Sequence, residues 1–230
     1  MTSGLRWLVI VCCVTLALTS LSTMVSDIAA HQATRQERKW QDGQPVNEAD
    51  WIKAFDQLEF ATWLFPWNPD YLQTQGRLAY WAAGSGDRLN LPPASSGIEP
   101  LRKSLRVRPQ SPYAWADLAL VKGMAGQYDQ EFNQALRNAQ KYGPWERPVL
   151  IRLLTTYFAS WENLTRDQKY FAMQQFSHAL SIGGGLEKQA LILALSSPIS
   201  LVVCERSADL VLKYRLSNLC AGIGVLRANN

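Results

Sequence analysis

The chain has 230 residues, 47% of them hydrophobic and 18% charged, with a formal net charge of +4. Such a composition excludes wholesale disorder and supplies enough apolar side chain for a sizeable interior. The basic residues are interleaved with acids, so no nucleic-acid partner is expected.

From Trp7 to Val25 the run WLVIVCCVTLALTSLSTMV carries no charge over nineteen residues. At about 1.5 Å per residue it covers roughly 28 Å, the thickness of a hydrocarbon core. A transmembrane anchor over residues 1–26 is the predicted element. A cleaved signal peptide competes, with small residues at Ala29 and Ala30. The apolar run, however, exceeds the roughly 7 to 15 residues of a signal h-region and has a single basic residue, Arg6, ahead of it. Arg6 and the amino terminus favour a cytoplasmic start and an external domain, a bias that Arg35, Arg38 and Lys39 weaken. Cys12 and Cys13 read as small hydrophobes within lipid.

Residues 27–46 are polar, show little apolar periodicity and end in Gly and Pro, which reads as a spacer. Asn47 is a good N-cap, and Trp51, Phe55, Leu58 and Ala61 follow at helical spacing, predicting a helix over 48–65. Asn68 and Pro69 break it, and DYLQTQGRLAYWAAG resumes a helical pattern. No alternating stretch of strand length competes, so residues 47–230 are expected to form one all-α domain of helices and turns. Pro69, Pro109 and Pro144 each separate two apolar helices at spacings of 40 and 35 residues, close to the period of helix-turn-helix arrays. Units are predicted at 72–109, 112–143 and 146–183, followed by divergent capping helices over 186–227. A lone hairpin of this kind cannot cover its apolar face, so neighbours stack. Cys204 and Cys220 lie sixteen positions apart, close enough for a disulfide worth about 3 kcal/mol in an oxidising compartment. Two unconnected buried thiols is the equal alternative.

Counting Pro112 as position one, Trp115 falls at four, Leu118 at seven and Ala119 at eight. In this register the chain resembles the tetratricopeptide repeat, in which those positions pack one helix of a hairpin on the other. Ala172, Phe176 and Ala179 reproduce the family's small, aromatic, small spacing in a later helix. Glu131 and Ala135 depart from the pattern where a small residue and an aromatic are expected. The resemblance implies an N-terminal transmembrane helix followed by a tetratricopeptide-like helical-hairpin solenoid. Transferred by register, it also implies a partner-binding face carrying Gln73, Tyr80, Tyr113, Leu120 and Arg147. The anchor together with NPDYLQTQGRL, LRKSLRVRPQSPYAWADLAL, GQYDQEFNQALRNAQKYGPWE and LVVC is similar to the VpsP family of polysaccharide biosynthesis proteins. That similarity implies a non-catalytic scaffold in the bacterial inner membrane with a periplasmic domain. Its partners would be envelope proteins of exopolysaccharide assembly or export. A pilus or secretion-machine scaffold is the alternative within the same class.

Motifs for chemistry are scarce. His31 and His178 have no cysteine or histidine at ligand spacing, so no metal or other cofactor is expected. SIGGGLEK lacks the phosphate-loop spacing and follows a helix, which reads as an interhelix linker. Asp129 and Glu131, two apart, are expected on different sides of a helix and not as an acid–base pair. Arg102, Lys103, Arg106 and Arg108 form a basic stretch read as a solvated face, with lipid headgroups or an anionic glycan as the sharper alternative. Trp63, Trp67 and Tyr71 invite a sugar-stacking reading, against which helix packing of the tryptophans is favoured.

Overall fold

The computed structural model describes residues 3–86 and 89–206, and these form helices and turns with no strand among them. The helices are α1 (Ser3–Gln41), α2 (Glu48–Leu64), α3 (Pro69–Gly84), α4 (Ile98–Val107) and α5 (Pro112–Met124). They continue with α6 (Gln130–Tyr142), α7 (Arg147–Ala159), α8 (Arg166–Ile182), α9 (Gly184–Leu195) and α10 (Ser200–Arg206).

The ends of these helices are written locally. Asn47 accepts from the Asp50 amide at 2.8 Å, Asn68 from Asp70 at 3.0 Å, and Asp129 from Phe132 at 2.9 Å. Ser111 caps α5, and Thr165 with Gln168 forms a capping box on α8. Pro69, Pro112 and Pro148 occupy the first or second position of α3, α5 and α7, where a missing N–H costs nothing. Pro109 and Pro144 sit in the turns just ahead, so the period seen in the sequence marks the turns while neighbouring prolines open the helices.

α1 is long and apolar enough to cross a membrane, and its apolar window is exposed throughout. It does not stop at the membrane boundary. The segment expected to be a spacer over 27–46 is helical as far as Gln41, leaving a short link before α2. Ser26, Ala30, Ala33, Glu37 and Trp40 are buried along it, spaced by four, three, four and three residues on one stripe. Two members of that stripe are polar and two are alanine, which is why its apolar periodicity looked weak.

Consecutive helices pair: α1 with α2, α3 with α4, α5 with α6, α7 with α8, and α9 with α10. In addition α1, α3, α5, α7 and α9 lie against one another in chain order. The predicted units coincide with the three middle pairs. One core cluster joins α1, α2 and α3 through residues such as Ala33, Trp51, Leu58 and Leu78. A larger one runs from Ile98 to Val203 around Leu118, Phe132, Leu154 and Phe176. Between them is a seam of small residues: a Cβ on Gly97 would meet the Gly76 carbonyl oxygen at 2.4 Å and the Ala79 Cβ at 2.8 Å. Backbones this close leave no room for a side chain at position 97.

Leu118, Ala119, Ala172, Phe176 and Ala179 are all buried in the larger cluster, with Phe176 edge-on to Phe158 at 5.7 Å. Trp115 is only half-buried, packing on the cluster's edge while its indole N–H donates to the Pro109 carbonyl at 2.8 Å. The GGG run joins α8 to α9, but in a single residue: only Gly183, at φ 76°, lies between them, and Gly184 already opens α9. Cys204 lies on α10 and is not a free thiol, whereas Cys220 and the expected capping helices beyond residue 206 lie outside the described residues.

Candidate functional site

The odd-numbered helices line a groove of about 630 Å3, whose walls include Tyr80, Trp81, Leu120, Arg147, Ile151 and Leu193. Its floor is a ladder of charges, one rung per helix. Arg77 of α3 donates from Nε and Nη2 to the two carboxylate oxygens of Glu37 on α1, at 2.7 and 2.6 Å. On its other side Arg77 Nη1 lies 3.9 Å from Asp117 on α5. Asp117 in turn accepts from Gln73 at 2.7 Å and from the Arg152 guanidinium of α7. Trp81 donates more weakly to Glu37 at 3.4 Å.

Glu37 and Asp117 are fully buried, so each needs these donors to remain tolerable as an anion inside the fold. Burial also lowers the Arg152 pKa to about 10, with the neighbouring Arg77 charge pushing the same way and Glu37 opposing. The ladder thus alternates in sign across four successive odd helices and ties them together. Arg77, Asp117 and Arg152 each stand eight residues after Pro69, Pro109 and Pro144. That equal offset was the available sequence signal for the floor of the groove. It is invisible to a search for apolar periodicity, because all three are charged.

Of the five residues expected on a partner face, Tyr80, Leu120 and Arg147 line this groove. Gln73 and Tyr113 line an adjoining hollow of about 290 Å3, which shares Arg77, Asp117 and Arg152 with it. Gln73 is buried with its amide committed to Asp117, and Leu120 is buried as well. Tyr113 is exposed, and its hydroxyl donates to Glu146 at 2.7 Å, which raises the phenol pKa above its ordinary value. Arg147 is exposed and makes no ion pair among the described residues. The accessible chemistry of the five is therefore two phenols and a free guanidinium.

Three other expectations meet the structure here. Asp129 and Glu131 do converge, because Asp129 is the N-cap of α6, with extended backbone, and not a helical residue. Both carboxylates lie 2.8 Å from Nζ of Lys122, a fully buried lysine of α5. The basic stretch is largely paired: Arg102 with Glu131, Arg106 with Glu99, and Arg108 with Asp70. The tryptophans divide, with Trp40, Trp51 and Trp161 buried but Trp63, Trp67 and Trp145 exposed, so the first two of these exposed rings are not packing residues. Tyr71, beside them in sequence, is buried, and its hydroxyl bonds Ser26 and Asp27 of α1.

No group of three or more histidine, cysteine, aspartate or glutamate side chains capable of holding a metal occurs among the described residues. No family model and no curated protein matches the sequence.

Proposed function

We propose that the chain is a membrane-anchored, non-catalytic scaffold whose groove receives a protein partner. On this reading α1 fixes the protein in a bacterial inner membrane, and the paired helices stack as a tetratricopeptide-like solenoid on the periplasmic side. The observation that carries it is the succession of odd helices along one face, joined by the ladder from Glu37 to Arg152. A stack of this kind offers a long concave surface and no closed pocket for a reaction. In the ladder two guanidinium groups match two carboxylates, which leaves Arg147 as the surplus cation on the groove wall. A partner segment combining an acidic group with apolar side chains fits that surface beside Tyr80 and Leu193.

Assignment to exopolysaccharide assembly or export rests on the resemblance to the VpsP family. Photo-cross-linking from position 80 or 147 in native membranes, followed by identification of attached proteins, tests both parts. Glycosyltransferases, a polymerase or an export protein support the assignment; pilins or secretion components transfer the scaffold to another machine. Tyr80→Ala combined with Arg147→Glu is expected to reduce capture of the partner at unchanged helicity. Undiminished capture removes the groove from consideration.

A second reading, a glycan-binding module, is favoured by Trp145, whose ring is 81% exposed and held edge-on to His178 at 5.9 Å. Retention of the domain on immobilised host polymer, lost on Trp145→Ala, is its signature.

A further inference from the structure

The charge-free part of α1 ends at Val25, and the same helix continues into the domain. α2 returns antiparallel beside it: Gln36 Nε2 donates to Asp50 at 3.4 Å and Gln57 Nε2 to Gln32 at 2.5 Å. Moving up α2 therefore means moving down α1. Trp63 lies six residues past Gln57, about 9 Å further along the helix, which brings it level with Ser26. A second tie agrees, since Tyr71, just after the α2–α3 turn, bonds Ser26 at 3.2 Å and also Asp27. The end of α2 and the turn containing Trp67 are thus held at the level where the apolar run of α1 stops.

Three aromatic side chains face outward there. Phe60 is 43% exposed, Trp63 74% and Trp67 78%, with Phe60 stacked on Trp63 at 6.3 Å. In water this is an unfavourable place for two indoles, and it adjoins the exposed apolar surface of α1. At a bilayer boundary it is favourable, because an indole presents an apolar ring to acyl chains and one N–H donor to headgroups and water.

We infer that Phe60, Trp63 and Trp67 form an aromatic foot seated in the headgroup boundary of the bilayer that α1 crosses. The occupant of this surface is lipid, and the domain has a second point of contact with the membrane besides its anchor. The inference rests on the reading of α1 as a membrane span.

Full-length protein in phosphatidylcholine nanodiscs, with and without acyl chains brominated near the headgroup, tests it through tryptophan emission. Trp7→Phe protein, which lacks the span's own indole, should still lose emission in brominated discs. Adding Trp63→Phe and Trp67→Phe should abolish most of that loss, at unchanged circular dichroism. Equal quenching of the two variants overturns the foot. Trp7 reports on the anchor separately: wild type must be quenched more than Trp7→Phe. Quenching of Trp7 with Trp63 and Trp67 silent sinks the foot alone, while an unquenched Trp7 sinks the anchor and the foot with it. A shift in emission on adding the host's polymer, with no bromolipid quenching from Trp63 or Trp67, overturns the lipid assignment in favour of a glycan.

Discussion

Glu131 is the joint at which three helices meet, and replacing it with glutamine isolates what that joint contributes. The carboxylate accepts two hydrogen bonds from Arg102 of α4, at 2.8 and 2.7 Å, and one from Lys122 of α5 at 2.8 Å. Arg102 first, and Lys122 after it, hold its pKa down to about 2 from the usual 4.5, against a burial that pushes upward. Without solvent screening, that difference is worth about 3.4 kcal/mol at about 1.36 kcal/mol for each tenfold change. The Arg102 side chain is 41% exposed and solvent screens it, so about 2 kcal/mol is the expected contribution. Because the folded pKa lies below the unfolded one, the stabilisation is complete above pH of about 4.5 and drains away as the pH falls towards about 2. Glu131→Gln should therefore lower the melting temperature by about 4–8 °C at neutral pH, and by much less near pH 2.5 on the same scale. Circular dichroism melts of the full chain in detergent, wild type against variant at both pH values, measure this directly. A gap of the same size at both would show that the loss is one of packing, and no gap at pH 7 would show that solvent already cancels the interaction.

Gly97→Ala pushes a methyl group into the Gly76 carbonyl and Ala79, and should cost about 1–3 kcal/mol as overpacking; a denaturation midpoint equal to wild type would mean that the seam yields. Phe176→Ala, which empties a fully buried aromatic site, should cost about 3–5 kcal/mol. Trp115→Ala should cost less, because its ring is already half in solvent; urea titrations showing the reverse order would contradict the burial of the two rings. Asp117→Ala leaves Arg152, half-buried beside Arg77, without its carboxylate, for an expected loss of about 3 kcal/mol, the low end for a buried pair. That variant is checked by urea titration alongside Arg77→Met, since an Asp117→Ala protein as stable as wild type would show that water replaces the carboxylate.

Helix positions and unit boundaries were legible because caps, prolines and apolar spacing agree with one another along most of the chain. The packing set showed the same agreement, apart from Trp115. There the preceding turn competes for the ring, and its hydrogen bond to Pro109 draws it to the edge of the core. The failures share a cause: at Ser26, Ala30, Ala33 and Glu37 of the α1 stripe, and again at buried Asp117 with half-buried Arg77 and Arg152, inward-facing positions are filled by polar or small residues. Reading by apolar periodicity assigns such residues to solvent, whereas burial is tolerable because each charge has a partner on the next odd-numbered helix. Those partners stand 35 to 40 residues away in the sequence, so pairing them requires the repeat register first. The convergence of Asp129 and Glu131 on Lys122 escaped for a smaller reason: Asp129 is the extended N-cap ahead of α6, so the rule that sets helical residues two apart on different sides does not apply to it.

A continuous α1 changes what the scaffold reading demands of its partner. With a flexible spacer, the groove would sample many heights above the membrane; with a helix, its first rung is fixed. Glu37 lies twelve residues past Val25, which at about 1.5 Å per residue places the floor of the groove roughly 18 Å beyond the end of the apolar run. Glu37 is also the residue that Arg77 grips with two hydrogen bonds, so the domain cannot pivot about α1 without breaking a buried ion pair. On the proposed reading, the groove then addresses proteins that are themselves held close to the same bilayer. A soluble partner would gain nothing from such placement. Two glycines followed by proline inserted after Gln41 leave the helix and the Glu37 pair intact, whereas the same insertion after Val25 frees the whole domain from the span. Cross-linking to the partner should survive the first and be lost in the second, and survival in both would show that height above the membrane plays no part in recognition.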